Sequence, residues 1–179
     1  MSKAFVLIIC ESGSDDYIVT KLQSIENVTY AHGVFGPYDV IAQIHSISQA
    51  ILEGIVTKKI RKLDKIIKTR TLLTEERTDV WDEMFAKKQE NLKDNDTVDA
   101  FVMISCKNMD EHNTLHELGK IPEVMDGDII LGHDVIMCKV SAKTYNDIED
   151  VVTKKIRKLQ GINSTMTLNV IPSREKSYP

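Results

Sequence analysis

The sequence predicts an α+β fold in which one βαββαβ unit occurs twice in tandem. The first observation is that residues 56–63 recur letter for letter as residues 152–159, at an offset of 96. The second is that the same offset matches other positions, such as Cys10 with Cys106 and Gly36 with Gly132. The third is that β-rich apolar runs alternate with runs of helical periodicity. An eight-residue identity at a constant offset indicates two copies of one unit.

The first half of the unit reads as a strand followed by a helix. Residues 4–10 form a continuous apolar run with β-branched members, which is typical of a strand buried on both faces. Ser14 is expected to cap the helix that follows, and Asp15 and Asp16 favour its amino terminus. The helix carries an apolar stripe at helical spacing, formed by Ile18, Val19, Leu22 and Ile25.

The second half reads as two strands, a helix and a strand. Residues 28–35 and 38–45 are strand-like and hinge at the turn signal Gly36-Pro37. Ser48 is expected to cap a second amphipathic helix, and residues 66–73 close the unit as a strand. This order is the split βαβ arrangement of ferredoxin-like domains, with both helices on one face of the sheet. The other face must then be covered by a second sheet, from the sister repeat or from another chain.

A one-residue difference separates the copies near their central turn. Asp39-Val40-Ile41 aligns with residues 134–136 if one residue is missing after Gly132. The offset of 96 returns by Lys139, which predicts a β-bulge around Met137 and Cys138.

The predicted domains are residues 1–74, an acidic helical linker at 75–99, and residues 100–179. The linker holds nine acids and four bases. It looks helical and carries an apolar stripe formed by Val80, Trp81, Met84 and Phe85. Two interpretations are open: a linker helix pinned to the repeats by this stripe, or a docking helix for another protein with Trp81 as its anchor.

Composition excludes several classes of protein. The formal charge of −4 argues against a protein that grips phosphate backbones over a broad surface. No apolar run approaches the ~20 residues of a membrane span. The three cysteines form no CxxC pair, which suits a reducing cytoplasm better than a disulfide framework. We therefore expect a cytoplasmic protein that does not enter membranes.

Four segments, in order and in both copies, carry a family resemblance. In the first copy they are residues 4–8, 36–41, 55–63 and 68–73. Together they resemble the Lrp/AsnC ligand-binding (RAM) domain, well over residues 4–74 and more loosely over 100–171. The resemblance implies a ferredoxin-like fold that dimerises through its sheets and assembles further through edge contacts. It also implies small effectors, usually amino acids, bound between dimers near the Gly-x-Tyr-Asp turn.

In that family an amino-terminal helix-turn-helix contacts DNA. Because the first predicted strand begins at residue 4, we expect that domain to be absent and specific DNA binding with it. The resemblance then implies a non-catalytic effector sensor. Such a sensor would form homo-oligomers and modulate transcription or metabolism through partners, among them full-length Lrp/AsnC regulators.

The resemblance also implies an effector site. In the first copy it falls on the turn and on the strand that faces it, and the second copy keeps part of the turn: Gly36, Tyr38, Asp39, Thr69, Arg70, Thr71, Gly132 and Asp134. A carboxylate can accept from an α-ammonium and a guanidinium can hold a carboxylate. The alternative for Asp39 is that it only caps its own turn. The second copy has His133 for Tyr38 and Met166 for Arg70, so any pocket there should prefer another ligand or none.

The alternative function is copper or zinc binding on the same scaffold. His112 and His116 are four residues apart on a predicted helix, the spacing for chelation on one face, and Cys106 lies just upstream. No nucleophile elbow, Gly-rich phosphate loop or paired-carboxylate signature indicates an enzyme, and no cofactor is expected. The repeated bases of residues 58–62 are interpreted as a solvated helix face that could assist a non-specific contact with DNA.

Overall fold

The structure, a computed structural model, describes residues 1–91 and 96–172. The chain divides into two compact units. The first holds residues 1–71 together with residues 170–172, and the second holds residues 72–169. The segment between the repeats is thus counted with the second unit.

The first unit is a four-stranded antiparallel sheet with two helices. Its strands follow the order β4-β1-β3-β2, and β1 pairs antiparallel with β3 so that Ile8 lies opposite Val40. Its elements are β1 (Ser2–Cys10), α1 (Asp15–Gln23), β2 (Val28–Phe35), β3 (Val40–Ser46), α2 (Gln49–Lys58), a 3-10 turn (Ile60–Lys62) and β4 (Ile66–Leu73).

The second unit repeats this order behind an additional helix. Its strands follow the order β8-β5-β7-β6, which is the same arrangement. Its elements are α3 (Asp79–Asn91), β5 (Val98–Cys106), α4 (Glu111–Gly119), β6 (Val124–Ile130), β7 (Val135–Ala142), α5 (Tyr145–Asp150), a π-helical turn (Val151–Lys155), a 3-10 turn (Ile156–Lys158) and β8 (Ile162–Val170). The predicted fold class, α+β with two ferredoxin-like units in tandem, is confirmed.

Helices α2 and α5 begin with a side-chain capping hydrogen bond, whereas α1 and α4 do not. Ser48 Oγ accepts from the backbone N–H of Ile51 at 3.4 Å, as predicted. In the second unit Thr144 forms a reciprocal capping box with Asp147. Helix α1 begins directly after Ser14, but the Ser14 side chain makes no capping hydrogen bond, so that part of the prediction is wrong.

The core of the second unit lies between its sheet and its helices. Alternate residues of β5 point into it, namely Ala100, Val102, Ile104 and Cys106. They meet buried residues of α4, α5 and the turns that follow, including Leu115, Leu118, Ile148, Val152 and Ile156. This alternation is the period of two expected of a strand with one face against helices.

The bulge predicted at Met137 and Cys138 is wrong. Strand β7 pairs with β5 without a register shift, and Ser105 lies opposite Val135. A bulge there would disturb two ladders, because β7 also pairs with β6. The offset of 96 therefore holds throughout β7, and Val135 takes the strand position of Asp39. The difference between the copies lies in the turn, where the chain can change conformation without losing strand pairing.

Helix α3 packs on the second unit, which confirms the interpretation of a pinned helix. Phe85 is 1% exposed and belongs to the core, with Trp81 and Met84 packed against it. Val80 is 70% exposed, so the apolar stripe is narrower than predicted. At the other end, Lys88 Nζ donates to two backbone carbonyls that follow α4, those of Ile121 and Val124, at 2.7 and 2.9 Å.

Two glycines allow this close approach. An added Cβ at Gly119 would lie 2.2 Å from Met84 Cε, and one at Gly127 would lie 2.6 Å from Leu115 Cδ1 and 3.4 Å from Phe85 Cζ.

Among the helices described, none is long and apolar enough to cross a membrane.

Candidate functional site

A cavity of about 230 Å³ lies in the first unit, where β1 runs into the loop before α1. Three carboxylates line it, those of Glu11, Asp15 and Asp39. Val34, Phe35 and Ile171 supply apolar wall. No lysine or arginine is among its lining residues in the described chain, so the cavity favours a cationic group.

Asp39 is fixed in this cavity by hydrogen bonds to two strands. Its Oδ2 accepts from the backbone N–H of Cys10 at 2.9 Å. Its own N–H donates to the Ile8 carbonyl, and its carbonyl accepts from the Val34 N–H, both at 2.9 Å. The Asp39 carboxylate therefore satisfies a backbone N–H at the carboxyl end of β1, although Asp39 and Cys10 lie far apart in the sequence.

The Cys10 thiol beside this carboxylate is uncharged near neutral pH. Burial raises its pKa to about 11, and the negative charges of Asp39 and Asp15 act in the same direction. A thiol with so high a pKa is a poor nucleophile. Cys10 is thus a wall of the cavity rather than a reactive group.

The other predicted residues of the first unit lie outside the cavity lining. Gly36 adopts φ 131°, a conformation that favours glycine, and Tyr38 is half-buried in the same turn. On β4, Thr69 Oγ1 accepts from Arg61 Nε at 3.1 Å, and Arg70 is exposed. Thr71 Oγ1 is buried without a hydrogen-bond partner among the described residues.

The turn of the second unit is built differently. Gly132 has φ 71° and is exposed, and Asp134 is also exposed. The N–H of Cys106 donates to the backbone carbonyl of Asp134 at 2.7 Å, whereas Cys10 uses the side chain of Asp39. The Asp134 carboxylate consequently does not hold the strand end as Asp39 does.

The predicted metal ligands do not converge. His112 Nε2 lies 3.4 Å from Glu75 Oε2, and His116 Nδ1 lies 3.4 Å from Glu117 Oε1, both on the exposed side of α4. Cys106 is buried in the core, and burial raises its pKa to about 11. Within residues 1–91 and 96–172, no group of three or more histidine, cysteine, aspartate or glutamate side chains is placed to hold a metal ion.

Two cavity residues, Glu11 and Asp15, were missed by sequence reasoning. Asp15 was assigned only to the amino terminus of the first helix, and Glu11 was given no role. A comparison of the copies contained the signal: residues 11–13 are Glu-Ser-Gly and residues 107–109 are Lys-Asn-Met, although the flanking strand and helix match. A local change of charge between otherwise similar copies points to a site that differs in function.

Some solved structures match less than half of this chain at 27–30% identity, and another matches most of the chain at low identity. A hypothetical protein from Pyrococcus horikoshii is 30% identical over 43% of this chain and 93% of its own, with a TM-score of 0.42. AsnC of E. coli is 27% identical over 42% of this chain, with a TM-score of 0.40, and the match spans about half of that protein, 52%. The siroheme decarboxylase NirDL is only 6% identical but matches 94% of this chain and 70% of its own, with a TM-score of 0.66, which shows a shared fold.

No curated protein sequence matches the chain. The family model described as the Lrp/AsnC ligand binding domain matches it twice, at residues 3–78 and 99–178. These two segments cover most of the sequence and coincide with the two copies found by internal repeat. The chain therefore belongs to the Lrp/AsnC ligand-binding domain family.

Proposed function

We propose that this chain is a non-catalytic sensor that binds an amino acid in the cavity beside Asp39. It forms homo-oligomers, as members of its family do, and modulates transcription or metabolism through partners such as full-length Lrp/AsnC regulators. Membership of a ligand-binding domain family supports the binding of a small effector. The nature of the ligand is inferred from the cavity.

The observation that carries the proposal is the fixed carboxylate of Asp39 in a cavity that no lysine or arginine of the described residues lines. An α-ammonium has N–H donors for a carboxylate, and a charge-assisted hydrogen bond contributes about 1.5–3 kcal/mol. Glu11 and Asp15 add negative charge to the same wall. The volume of about 230 Å³ is below the ~300–1,000 Å³ of sites for larger molecules, which suits a small ligand.

The carboxylate of an amino acid needs a base that the cavity does not supply. We assign this role to Arg70 of a neighbouring subunit, because a guanidinium binds a carboxylate through two parallel hydrogen bonds. Arg70 is exposed on β4 and so is open to another chain. Replacing Arg70 with Ala should weaken ligand binding, whereas replacing the nearby exposed Lys68 with Ala should not.

Thermal-shift screening with the twenty amino acids, followed by calorimetry, tests the proposal. A true ligand at 100 times its dissociation constant adds ~2.7 kcal/mol of stability. Asp39→Asn keeps the acceptor for the Cys10 N–H but removes the charge, and it should weaken binding at least tenfold. Asp134→Asn is the matched control and should have little effect. Equal losses in both variants, or stabilisation by copper or zinc but by no amino acid, would contradict the proposal.

Light scattering tests the assembly separately. We expect a particle mass of at least twice the 20.3 kDa of one chain. If a single chain in solution still bound its ligand, the result would contradict both the proposed oligomer and the proposed role of Arg70 from a neighbouring subunit.

A further inference from the structure

The two copies share an identical octapeptide but differ in the charges around it. Residues 56–63 and 152–159 have the same letters, although residues 56–58 end an α-helix and residues 152–155 lie in a π-helical turn. Lys59 has φ −111° and ψ −57°, and its counterpart Lys155 has φ −113° and ψ −60°. These two lysines thus have the same backbone conformation, and the charges of their neighbours set them apart.

In the second unit, acids neutralise two of these bases. Lys154 Nζ lies 2.8 Å from Asp150 Oδ2, and Lys155 Nζ lies 2.6 Å from Glu123 Oε1. At an offset of 96 the first unit has Gly54 and Asn27 in place of these acids. In the described part of the chain, Lys58 and Lys59 form no ion pair, and both are exposed.

The first unit also adds positive charge beside the octapeptide. Lys21 Nζ lies 5.6 Å and Lys65 Nζ 4.9 Å from the ring centroid of Tyr17, so this aromatic ring joins α1 to the turn before β4. The corresponding residues of the second unit are Glu117, Gly161 and Asn113. One copy thus has two lysines around an aromatic ring where the other has an acid and a glycine.

A hydrogen bond from Arg61 Nε to Thr69 Oγ1 fixes the 3-10 turn against β4. The exposed bases of this part of the first unit are Lys21, Lys58, Lys59, Arg61, Lys62 and Lys65. Asp64 is the one acid within residues 57–66. We call the six bases the basic face of the first unit.

We propose that the basic face binds the phosphate backbone of duplex DNA without sequence preference. Unpaired lysines and arginines on a fixed surface release counterions from a polyanion, and this drives non-specific binding. An acidic membrane is a poorer match, because helices that lie on membranes also bury an apolar face and these six positions offer none. The acidic balance of the whole chain is compatible with the proposal, since residues 1–71 hold nine bases and seven acids and the net negative charge lies in the rest of the sequence.

Fluorescence anisotropy with a labelled 20-base-pair duplex of arbitrary sequence at ~50 mM salt tests this proposal on the full chain. The test variant is Lys58→Gln with Lys59→Gln, and the matched control is Lys154→Gln with Lys155→Gln. Both change the same two letters of the same octapeptide. Each phosphate contact adds about 0.9 to the slope of log affinity against log salt. We expect the test variant to bind at least tenfold more weakly with a slope shallower by about 2, and the control to change less than twofold.

Four results would overturn the proposal. The first is no binding at ~50 mM salt, and the second is an equal loss of affinity in both variants. The third is tighter binding to phosphatidylserine vesicles than to DNA, which would assign the face to a membrane surface. The fourth is salt-sensitive self-association without DNA binding, which would assign it to the acidic segment 75–99 of another copy. Circular dichroism of each variant confirms that these exposed substitutions leave the fold intact.

Discussion

Arg77 Nε donates to Asp128 Oδ1 at 2.8 Å, and this pair joins the segment before α3 to strand β6. The guanidinium also contacts Asp126 and donates to the Gly127 carbonyl at 2.9 Å. The Asp128 side chain is only 1% exposed, and the Arg77 guanidinium stabilises its charge. Burial opposes the charged form of Arg77, but the carboxylates of Asp128 and Asp126 outweigh it and raise its pKa.

The same positions explain why α3 belongs with the second copy. At an offset of 96, the first copy has Tyr30 and His32 where the second has Asp126 and Asp128, and Ala31 where it has Gly127. In place of Gly119 it has Gln23, whose side chain donates to the Ala31 carbonyl at 3.1 Å. The first copy therefore lacks both the acids that bind Arg77 and the glycines that admit Met84 and Phe85.

Replacing Arg77 with Ala should destabilise the second unit by about 3–5 kcal/mol, because the buried carboxylate of Asp128 loses its guanidinium partner. Urea unfolding followed by the fluorescence of Trp81, the single tryptophan of the chain, measures this. Asp82→Ala is the matched control: it removes a contact of 3.4 Å from Arg77 to a side chain that is 61% exposed, and should cost less than ~1 kcal/mol. If both variants lost the same free energy of unfolding, the buried contact with Asp128 would be no more stabilising than the exposed contact with Asp82.

Replacing Gly127 with Ala should destabilise the fold by about 1–3 kcal/mol, since the new Cβ would lie 2.6 Å from Leu115 Cδ1 in a packed core. Gly54→Ala is the opposite case. No atom lies within 4 Å of a Cβ built there, and the residue is inside α2. We expect that variant to be more stable by ~0.5–1 kcal/mol. Thermal unfolding followed by circular dichroism decides both, and a stabilised Gly127→Ala would refute the packing argument.

All three thiols should resist alkylation in the folded protein near pH 8. The pKa values of Cys10 and Cys106 are raised to about 11, and burial also raises that of Cys138. Because the folded pKa lies above the ordinary value, the thiolate stays a minor form until the pH nears 11. At Cys10, which lines the cavity, the rate should rise about tenfold per pH unit up to that point. Iodoacetamide labelling read by mass spectrometry tests this, with urea-unfolded protein as the control that labels fully.

The purified chain should form no sequence-specific complex with DNA at about 0.15 M salt. Contacts to phosphate alone weaken steeply as salt rises. A mobility shift with competitor DNA measures this, and any complex seen at low salt should disappear. A band that survives excess competitor at 0.15 M salt would show specific recognition and would contradict the expectation.

Predictions that depended on local pattern were correct where the strands and helices are concerned. The periods of 2 and 3.6 residues depend on neighbours in sequence, so the order of elements could be read directly. The pinning of α3 by Trp81, Met84 and Phe85 followed from the same periodicity, although Val80 lies in solvent. The predicted bulge failed because a residue-by-residue alignment placed a change inside a strand that is paired on both sides.

The sequence by itself determined the duplication, the fold class and the family, because all three can be recognised from short sequence segments that occur in the same order in both copies. The tertiary structure decided which residues share a site. It placed Glu11 and Asp15 beside Asp39, left Arg70 outside that cavity, and put Val135 at the strand position of Asp39. The physical reason is that a site is made by atoms that meet across a fold. Such meetings depend on strand register and turn conformation, which a linear pattern does not specify.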